Sequence, residues 1–190
     1  MDKVLRKKAK PLSPARMVSY GGLVIAMGIL LPFLLHMIGG DALGSSLLPM
    51  HIPVLLGGFF LGPAAGLFVG GVTPVLSFLI RPMPALPRLP FMVVELAAYC
   101  FFTGLFYQKL KWPVFPSLVL SMAAGRVANF LAYLAALYLF GQNLPGKFAA
   151  SAWLSLVDTI GRGLPGIVLQ LICIPLLLFA LKKGGLLHEP

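Results

Sequence analysis

Long apolar segments follow one another along almost the whole chain, and they restrict the fold more than any other feature. A helix needs roughly 20 apolar residues to cross the hydrocarbon core of a bilayer. Runs of this kind occupy 17–38, 50–80, 89–110, 114–140 and 148–181. Charged residues make up only 11% of the 190, against roughly 25% in a soluble domain. We therefore expect an integral membrane protein, with nearly all of the chain in the membrane.

The run 50–80 is interrupted by Gly62-Pro63, a pair that breaks regular helices. We predict two short spans joined by a tight inner turn at this point, which brings the total to six. Gly62, Gly66 and Gly70 repeat every four residues, so the second of these spans should press against a neighbouring helix. The predicted fold is all-α, with six transmembrane helices.

The basic residues favour one orientation of these spans. Ten of the 15 Lys and Arg fall on the side that holds both termini: Lys3, Arg6, Lys7, Lys8, Lys10, Arg16, Lys109, Lys111, Lys182 and Lys183. Cytoplasmic flanks carry such an excess, and it attracts anionic lipid rather than nucleic acid. We predict a basic cytoplasmic leader at 1–16, a six-helix membrane domain at 17–183 and a short cytoplasmic tail at 184–190.

The last segment carries a polar stripe on one helical face. Its members recur at steps of three and four residues: Ser151, Ser155, Asp158, Arg162, Gly166 and Gln170. Ionisable groups at membrane depth usually mark functional sites. Asp158 and Arg162 also stand in the order that favours a pair within one helix. The stripe therefore allows either a ligand site or an internal ion pair.

Polar groups of three segments should meet in the outer half of the membrane. From the helical rise, Glu95 lies about 9 Å, Arg126 about 12 Å and Asp158 about 15 Å below the outer boundary. The inner half is expected to be almost uniformly apolar, with Gln170 as the main exception. A channel would carry polar residues through its full depth, so we predict a cup that opens to the outside.

A small polar molecule would suit this cup, with carboxylates and amides for hydrogen bonds, arginines for an acidic group and tyrosines for an aromatic face. The predicted substrate-binding residues are His51, Arg81, Glu95, Tyr99, Arg126, Asn129, Tyr133, Asp158 and Arg162. The excess of arginine mildly favours an anionic ligand. For two of these residues a structural role remains an alternative to ligand contact. His51 would then be a hydrogen-bonding group at a helix end, and Glu95 would be a structural partner of Arg126.

Motifs for chemistry are missing from the sequence. It has no metal-ligand spacing, no Walker motif and no nucleophile arrangement, so we expect no cofactor, no metal and no ATPase activity of its own. Cys100 and Cys173 fall inside apolar runs, where inert packing is the expected role.

An ordered set of motifs resembles the S components, the substrate-binding subunits, of energy-coupling factor (ECF) vitamin transporters. The set includes Met-His-Ile-Pro-Val-Leu-Leu-Gly-Gly-Phe-Phe-Leu-Gly-Pro at 50–63, Gly-Gly-Val-Thr-Pro at 70–74, Glu-Leu-Ala-Ala-Tyr at 95–99 and Leu-Pro-Gly-Ile-Val-Leu-Gln at 164–170. The similarity covers about 15–182. It is greatest to the general branch that includes pantothenate, cobalamin and hydroxymethylpyrimidine carriers.

This resemblance implies a six-helix protein of the bacterial cytoplasmic membrane that captures a vitamin or related micronutrient at its outer end. It also implies partnership with a membrane coupling subunit and two ABC-type ATPases, after which the S component topples to release substrate inside. Small residues on the first helix meet the coupling subunit in that family. Gly22 and Ala26 hold the matching positions here, and the vitamin itself is left undetermined.

Two other functions remain as alternatives. One is a small polytopic enzyme acting on lipid, with His51, Glu95 and Asp158 as acid and base. The other is a solitary carrier or a membrane scaffold. Substrate turnover would indicate the enzyme, and uptake without ATPases would indicate the solitary carrier.

Overall fold

The structure is a computed structural model that describes residues 13–140 and 152–183, without the side chains of 41–45, 140, 152–160, 162 and 182. Within these ranges, the α-helices are α1 (Pro14–Ser46), α2 (His51–Ile80), α3 (Leu89–Gly104), α4 (Val114–Phe140) and α5 (Ala152–Lys183). No strand occurs in the described part of the chain. The all-α prediction is confirmed.

The described residues contain five helices that are long and apolar enough to cross a membrane. They correspond to the predicted segments, except that 50–80 forms one helical element, α2, instead of two separate spans. The structure thus shows five helical elements, and the predicted total of six spans depends on whether α2 counts as one span or two.

Within α2 the chain reverses direction at Gly62. This residue has φ 77° and ψ 178°, a conformation that is almost restricted to glycine. A Cβ atom placed on Gly28 of α1 would lie 3.9 Å from Pro53 and in contact with Thr73. Twenty residues of straight helix would separate Pro53 from Thr73 by about 30 Å, so the two halves of α2 must run antiparallel. The reversal falls where the sequence predicts the break.

Glycines of α2 allow α3 to approach closely. A Cβ atom on Gly66 would lie 3.0 Å from the backbone oxygen of Cys100, and one on Gly70 would meet the backbone oxygen of Leu96. The predicted glycine ridge is therefore confirmed, and the neighbour against which it packs is α3. The end of the bundle at which α2 begins is called the His51 end below, and the opposite end is the Gly62 end.

The helices close into a bundle because α5 contacts α1 and α2 as well as α4. Helices adjacent in sequence also pack together from α1 to α4. The main apolar core draws side chains from α2, α3, α4 and α5, among them Leu55, Tyr99, Leu118 and Ile174. Helix α1 is peripheral, and it contributes Val24 to a smaller cluster with Leu61 and Val69 of α2.

Three local features complete the fold. Helix α1 continues to Ser46, with a non-helical residue at Gly40 (φ 65°). In the proline-rich connection after α2, Leu86–Arg88 forms a turn of 3-10 helix. Helix α5 is continuous through 163–166, with Pro165 inside it.

The half of the bundle nearer the Gly62 end is less apolar than expected. Thr103, Ser117 and Ser121 are all buried there. The hydroxyl of Thr103 donates to the Tyr99 carbonyl at 2.7 Å, and that of Ser121 donates to the Leu118 carbonyl at 2.9 Å. Thr103 also donates to the Ser121 hydroxyl across the two helices at 2.9 Å. Because all three groups are neutral hydroxyls, this half has no ionised buried group among the described side chains.

Candidate functional site

A buried carboxylate, Glu95 of α3, is the centre of the candidate site. The residue is 4% exposed. Its Oε1 accepts a hydrogen bond from the Tyr99 hydroxyl at 2.8 Å and lies 2.8 Å from Nη1 of Arg126. Its Oε2 accepts a hydrogen bond from Nδ2 of Asn129 at 2.6 Å. Two helices thus supply three donors to one carboxylate.

Helical periodicity explains how these residues converge. Tyr99 follows Glu95 by four residues on α3, and Asn129 follows Arg126 by three on α4, so each pair shares a helical face. The two faces meet at Gly125, where a Cβ atom would overlap the Tyr99 ring. Glycine at this position therefore permits α4 to approach closely enough for both of its polar side chains to reach Glu95.

His51 joins this group from the first turn of α2. Its Nε2 lies 3.6 Å from Oε1 of Glu95, and its ring meets the Tyr99 ring edge-on at a centroid distance of 5.4 Å. The residue is 2% exposed, and neither ring nitrogen has a hydrogen-bond partner among the described groups. We refer to His51, Glu95, Tyr99, Arg126 and Asn129 as the Glu95 cluster.

The charges of the Glu95 cluster balance, because the Arg126 guanidinium faces the Glu95 carboxylate directly. An uncompensated charge inside a membrane protein is expensive, and removal of one member of a buried pair typically costs about 3–5 kcal/mol. The pair therefore holds α3 and α4 together while it presents a strongly polar surface inside an apolar bundle.

Helix α5 approaches the cluster from another side. A Cβ atom on Gly163 would lie 3.4 Å from Nη2 of Arg126, and one on Gly166 would lie 2.6 Å from the backbone oxygen of Leu47. Gln170 follows on the same helical face. It is 1% exposed, and its Nε2 has no hydrogen-bond partner in the described part of the chain.

Tyr133 lies one helical turn beyond Asn129 on α4, and an aromatic stack holds it in place. Its ring lies 3.8 Å from that of Phe91, at an interplanar angle of 3°. Phe91 in turn stands one turn before Glu95 on α3. The stack therefore continues the α3–α4 contact from the Glu95 cluster toward the His51 end.

Arg81 is not part of this cluster. It is exposed just after α2, and its guanidinium carbon lies 3.8 Å from the centre of the Phe33 ring of α1. This cation–π contact ties the connection after α2 to α1. The sequence places Arg81 correctly near the His51 end but does not reveal that it contacts α1.

Two predicted site residues, Asp158 and Arg162, have backbone within α5 but side chains outside those that the structure describes. The predicted docking residues Gly22 and Ala26 are exposed on α1. A Cβ atom on Gly22 would meet no described atom within 4 Å. Both small residues thus face away from the rest of the bundle.

The sequence-based site omits three residues that the structure brings to this region. Gly125 precedes Arg126 directly, but a glycine in an apolar run gives no sign of which aromatic ring it must admit. Phe91 is likewise hidden among other apolar residues. Gln170 had a detectable signal, because it ends the polar stripe of the last segment.

The chemistry available here is binding of a small polar molecule by buried hydrogen-bonding groups. The described residues contain no group of three or more His, Cys, Asp or Glu that could hold a metal ion. Together, the fold and the Glu95 cluster define a polytopic α-helical membrane protein with a buried polar site near one end.

The family is shown by comparison with known proteins. Residues 17–178 match the family model described as "ECF transporter, substrate-specific component", and the chain belongs to this family. The resemblance inferred from the sequence is thereby confirmed, and the class is that of a transporter subunit rather than an enzyme. The searches of curated proteins and of solved structures gave no match.

Proposed function

We propose that this protein captures a vitamin or related micronutrient at its His51 end and delivers it inward with an ECF coupling subunit and two ABC-type ATPases. The observation that supports this most strongly is the Glu95 cluster. Its carboxylate, guanidinium, amide, phenol and imidazole are gathered on three helices near one end of an otherwise apolar bundle. A substrate-specific subunit needs such a polar site to recognise its cargo.

The proposed topology is six membrane passages, with both termini in the cytoplasm of a bacterium. We count the antiparallel halves of α2 as two passages, although the helical part of the first half extends only about 16 Å, and α1, α3, α4 and α5 as one each. Lys109 and Lys111 lie at the Gly62 end, and this excess of positive charge supports our proposal that the Gly62 end faces the cytoplasm. The Glu95 cluster then lies nearer the outer surface, where substrate arrives.

Docking to the coupling subunit is proposed for the exposed face of α1 around Gly22 and Ala26. Small residues let helices approach closely in a membrane. The open space at Gly22 supports a partner that packs there without rearrangement of this chain.

Mass spectrometry of small molecules that co-purify with the protein tests substrate capture. Asn129→Ala removes one donor from Glu95 but retains the Glu95–Arg126 pair, so we expect the amount of bound ligand to fall about tenfold or more. Ser121→Ala is the matched control, because its buried hydroxyl bonds to the Leu118 carbonyl and to the Thr103 hydroxyl and makes no hydrogen bond to a side chain of the cluster. Equal ligand recovery from both variants would contradict a binding role for the cluster.

Uptake measurements test the partnership. Cells that contain this protein together with an ECF coupling subunit and its ATPases should accumulate the co-purified ligand, and cells that contain this protein alone should not. Uptake by the chain alone would instead indicate a solitary carrier.

A further inference from the structure

We propose that Gln170 contacts the ligand directly and that, together with His51 and Arg126, it binds an acidic group of that ligand, a carboxylate or a phosphate. This inference rests on the proposed function and specifies the chemistry of its substrate. The sequence-based list of binding residues does not contain Gln170.

The first argument is that the amide of Gln170 is buried without a partner. The residue is 1% exposed and its Nε2 donates to no described group. Buried polar groups in folded proteins are nearly always hydrogen-bonded, and an unpaired one carries a desolvation penalty. By contrast, the equally buried Thr73 donates its hydroxyl to the Val69 carbonyl at 2.7 Å. The unpaired amide nitrogen therefore calls for an acceptor other than the described groups of this chain, and a bound ligand would supply one.

The undescribed polar side chains of α5 do not supply that partner. Arg162 has donors only, so it cannot accept a hydrogen bond from the Gln170 amide. Asp158 could accept one, but it lies twelve residues earlier, about 18 Å away along the helix axis. An acceptor from outside the helix is needed.

The position of Gln170 directs it toward the Glu95 cluster. It shares a helical face with Gly163 and Gly166, which lie against Arg126 and the Leu47 carbonyl respectively. Leu47 stands only four residues before His51, whose ring nitrogens make no hydrogen bond with a described group, although Nε2 lies 3.6 Å from Oε1 of Glu95. Buried polar side chains of α2 and α5 thus approach the same end of the bundle.

The groups that remain available to a ligand are mainly donors. Both oxygens of Glu95 already accept hydrogen bonds from the chain's own side chains. Arg126 uses Nη1 for Glu95, while its Nη2 lies on the side of Gly163. The Arg126 guanidinium and the Gln170 amide nitrogen match a group that offers several acceptor oxygens and a negative charge, and an imidazole N–H of His51 adds a further donor.

Thermal unfolding of ligand-free protein in detergent tests whether the Gln170 amide lacks a hydrogen-bond partner within the chain. Gln170→Met replaces the amide with an apolar side chain of similar length, so we expect the melting temperature to rise by about 2–4 °C. Thr73→Val is the matched control, and it should lower the melting temperature because it removes a satisfied hydrogen bond. A lower melting temperature for Gln170→Met would show that the amide has a structural partner and would overturn the proposal.

Mass spectrometry of released ligand tests the ligand class on the same samples. Gln170→Met should reduce the amount of bound ligand about tenfold or more, whereas Thr73→Val should leave it unchanged. The ligand from wild-type protein should carry a carboxylate or a phosphate, which its exact mass and fragments distinguish. A neutral or cationic ligand would contradict this inference alone, and recovery of no ligand from the wild type would contradict the proposed function as well.

Discussion

At the scale of single residues, the Glu95–Arg126 pair allows two opposite charges to be buried together inside this bundle. Glu95 is enclosed by donors from α3 and α4, so its charge is compensated within the chain. The pair also stabilises the contact between α3 and α4, and ligand binding by Glu95 stays a prediction. The open question of whether Glu95 serves as a structural partner of Arg126 is thereby answered in favour of direct pairing.

Neutralisation of either member should destabilise the protein, because the other is left as an uncompensated buried charge. We expect Glu95→Gln or Arg126→Gln alone to lower the free energy of unfolding by about 3–5 kcal/mol. The double variant should lose much less than the sum of the two. Denaturant unfolding in mild detergent measures this double-mutant cycle, with the exposed Lys109→Gln as a neutral control. Additive losses would contradict direct coupling between the two charges.

A second prediction concerns the close approach at Gly125. Gly125→Ala places a methyl group in the Tyr99 ring, so we expect overpacking to cost about 1–3 kcal/mol and ligand binding to weaken as Tyr99 moves. Gly71→Ala is the control, since its Cβ would make ordinary contacts of 3.7 Å with Ala97. Circular dichroism melting curves should separate the two variants, and identical curves would argue against the contact.

The sequence predicts much of the Glu95 cluster because helical periodicity and depth are both readable from it. A spacing of four residues places Glu95 with Tyr99, and a spacing of three places Arg126 with Asn129, while the rise per residue brings both pairs to similar depth. The same reasoning fails for Arg81, because a residue in a connection has no periodicity to orient it. Its contact with Phe33 depends on how α1 packs, which no local pattern encodes.

At the scale of elements, α2 departs most from the sequence-based prediction. Gly62-Pro63 identifies the break correctly, since few residues other than glycine adopt the observed backbone conformation. The sequence does not reveal how tightly the reversal packs. A Cβ atom on Gly104 of α3 would lie 2.5 Å from the Gly62 carbonyl carbon, and Gln108 donates to the Phe59 carbonyl at 2.8 Å.

Substitution of Gly62 should therefore disturb both the turn and its neighbour. We expect Gly62→Ala to destabilise the protein by about 1–3 kcal/mol through backbone strain alone, and by more because a Cβ atom would meet the Gln108 side chain at 2.7 Å. Gly40→Ala is the control, because it also has a positive φ but meets no described atom within 4 Å. If Gly40→Ala proves as harmful in thermal unfolding, packing at Gly62 contributes nothing.

At the scale of the whole molecule, the buried polar site and the exposed face of α1 lie in separate parts of the bundle. The Glu95 cluster lies among α2, α3 and α4, while Gly22 and Ala26 lie on the far side of α1. Because these regions do not overlap, substitutions should affect binding and transport separately.

Gly22→Leu tests that separation. The added side chain points into open space, so folding and ligand binding should be retained, but a close helix–helix contact with the coupling subunit becomes impossible. We expect uptake in cells that contain the coupling module to be abolished. Gly22→Ala should retain most of the uptake, and wild-type uptake by Gly22→Leu would exclude this face of α1 as the docking surface.

The reversal at Gly62 also has a consequence for biosynthesis. The first half of α2, from His51 to Leu61, has eleven residues and extends about 16 Å, roughly half the thickness of the hydrocarbon core. It is too short to partition into lipid by itself as it leaves the ribosome and the translocon. It must enter together with the second half as a pre-paired hairpin, so the order of synthesis requires residues 63–80 to emerge before this part of the site can form.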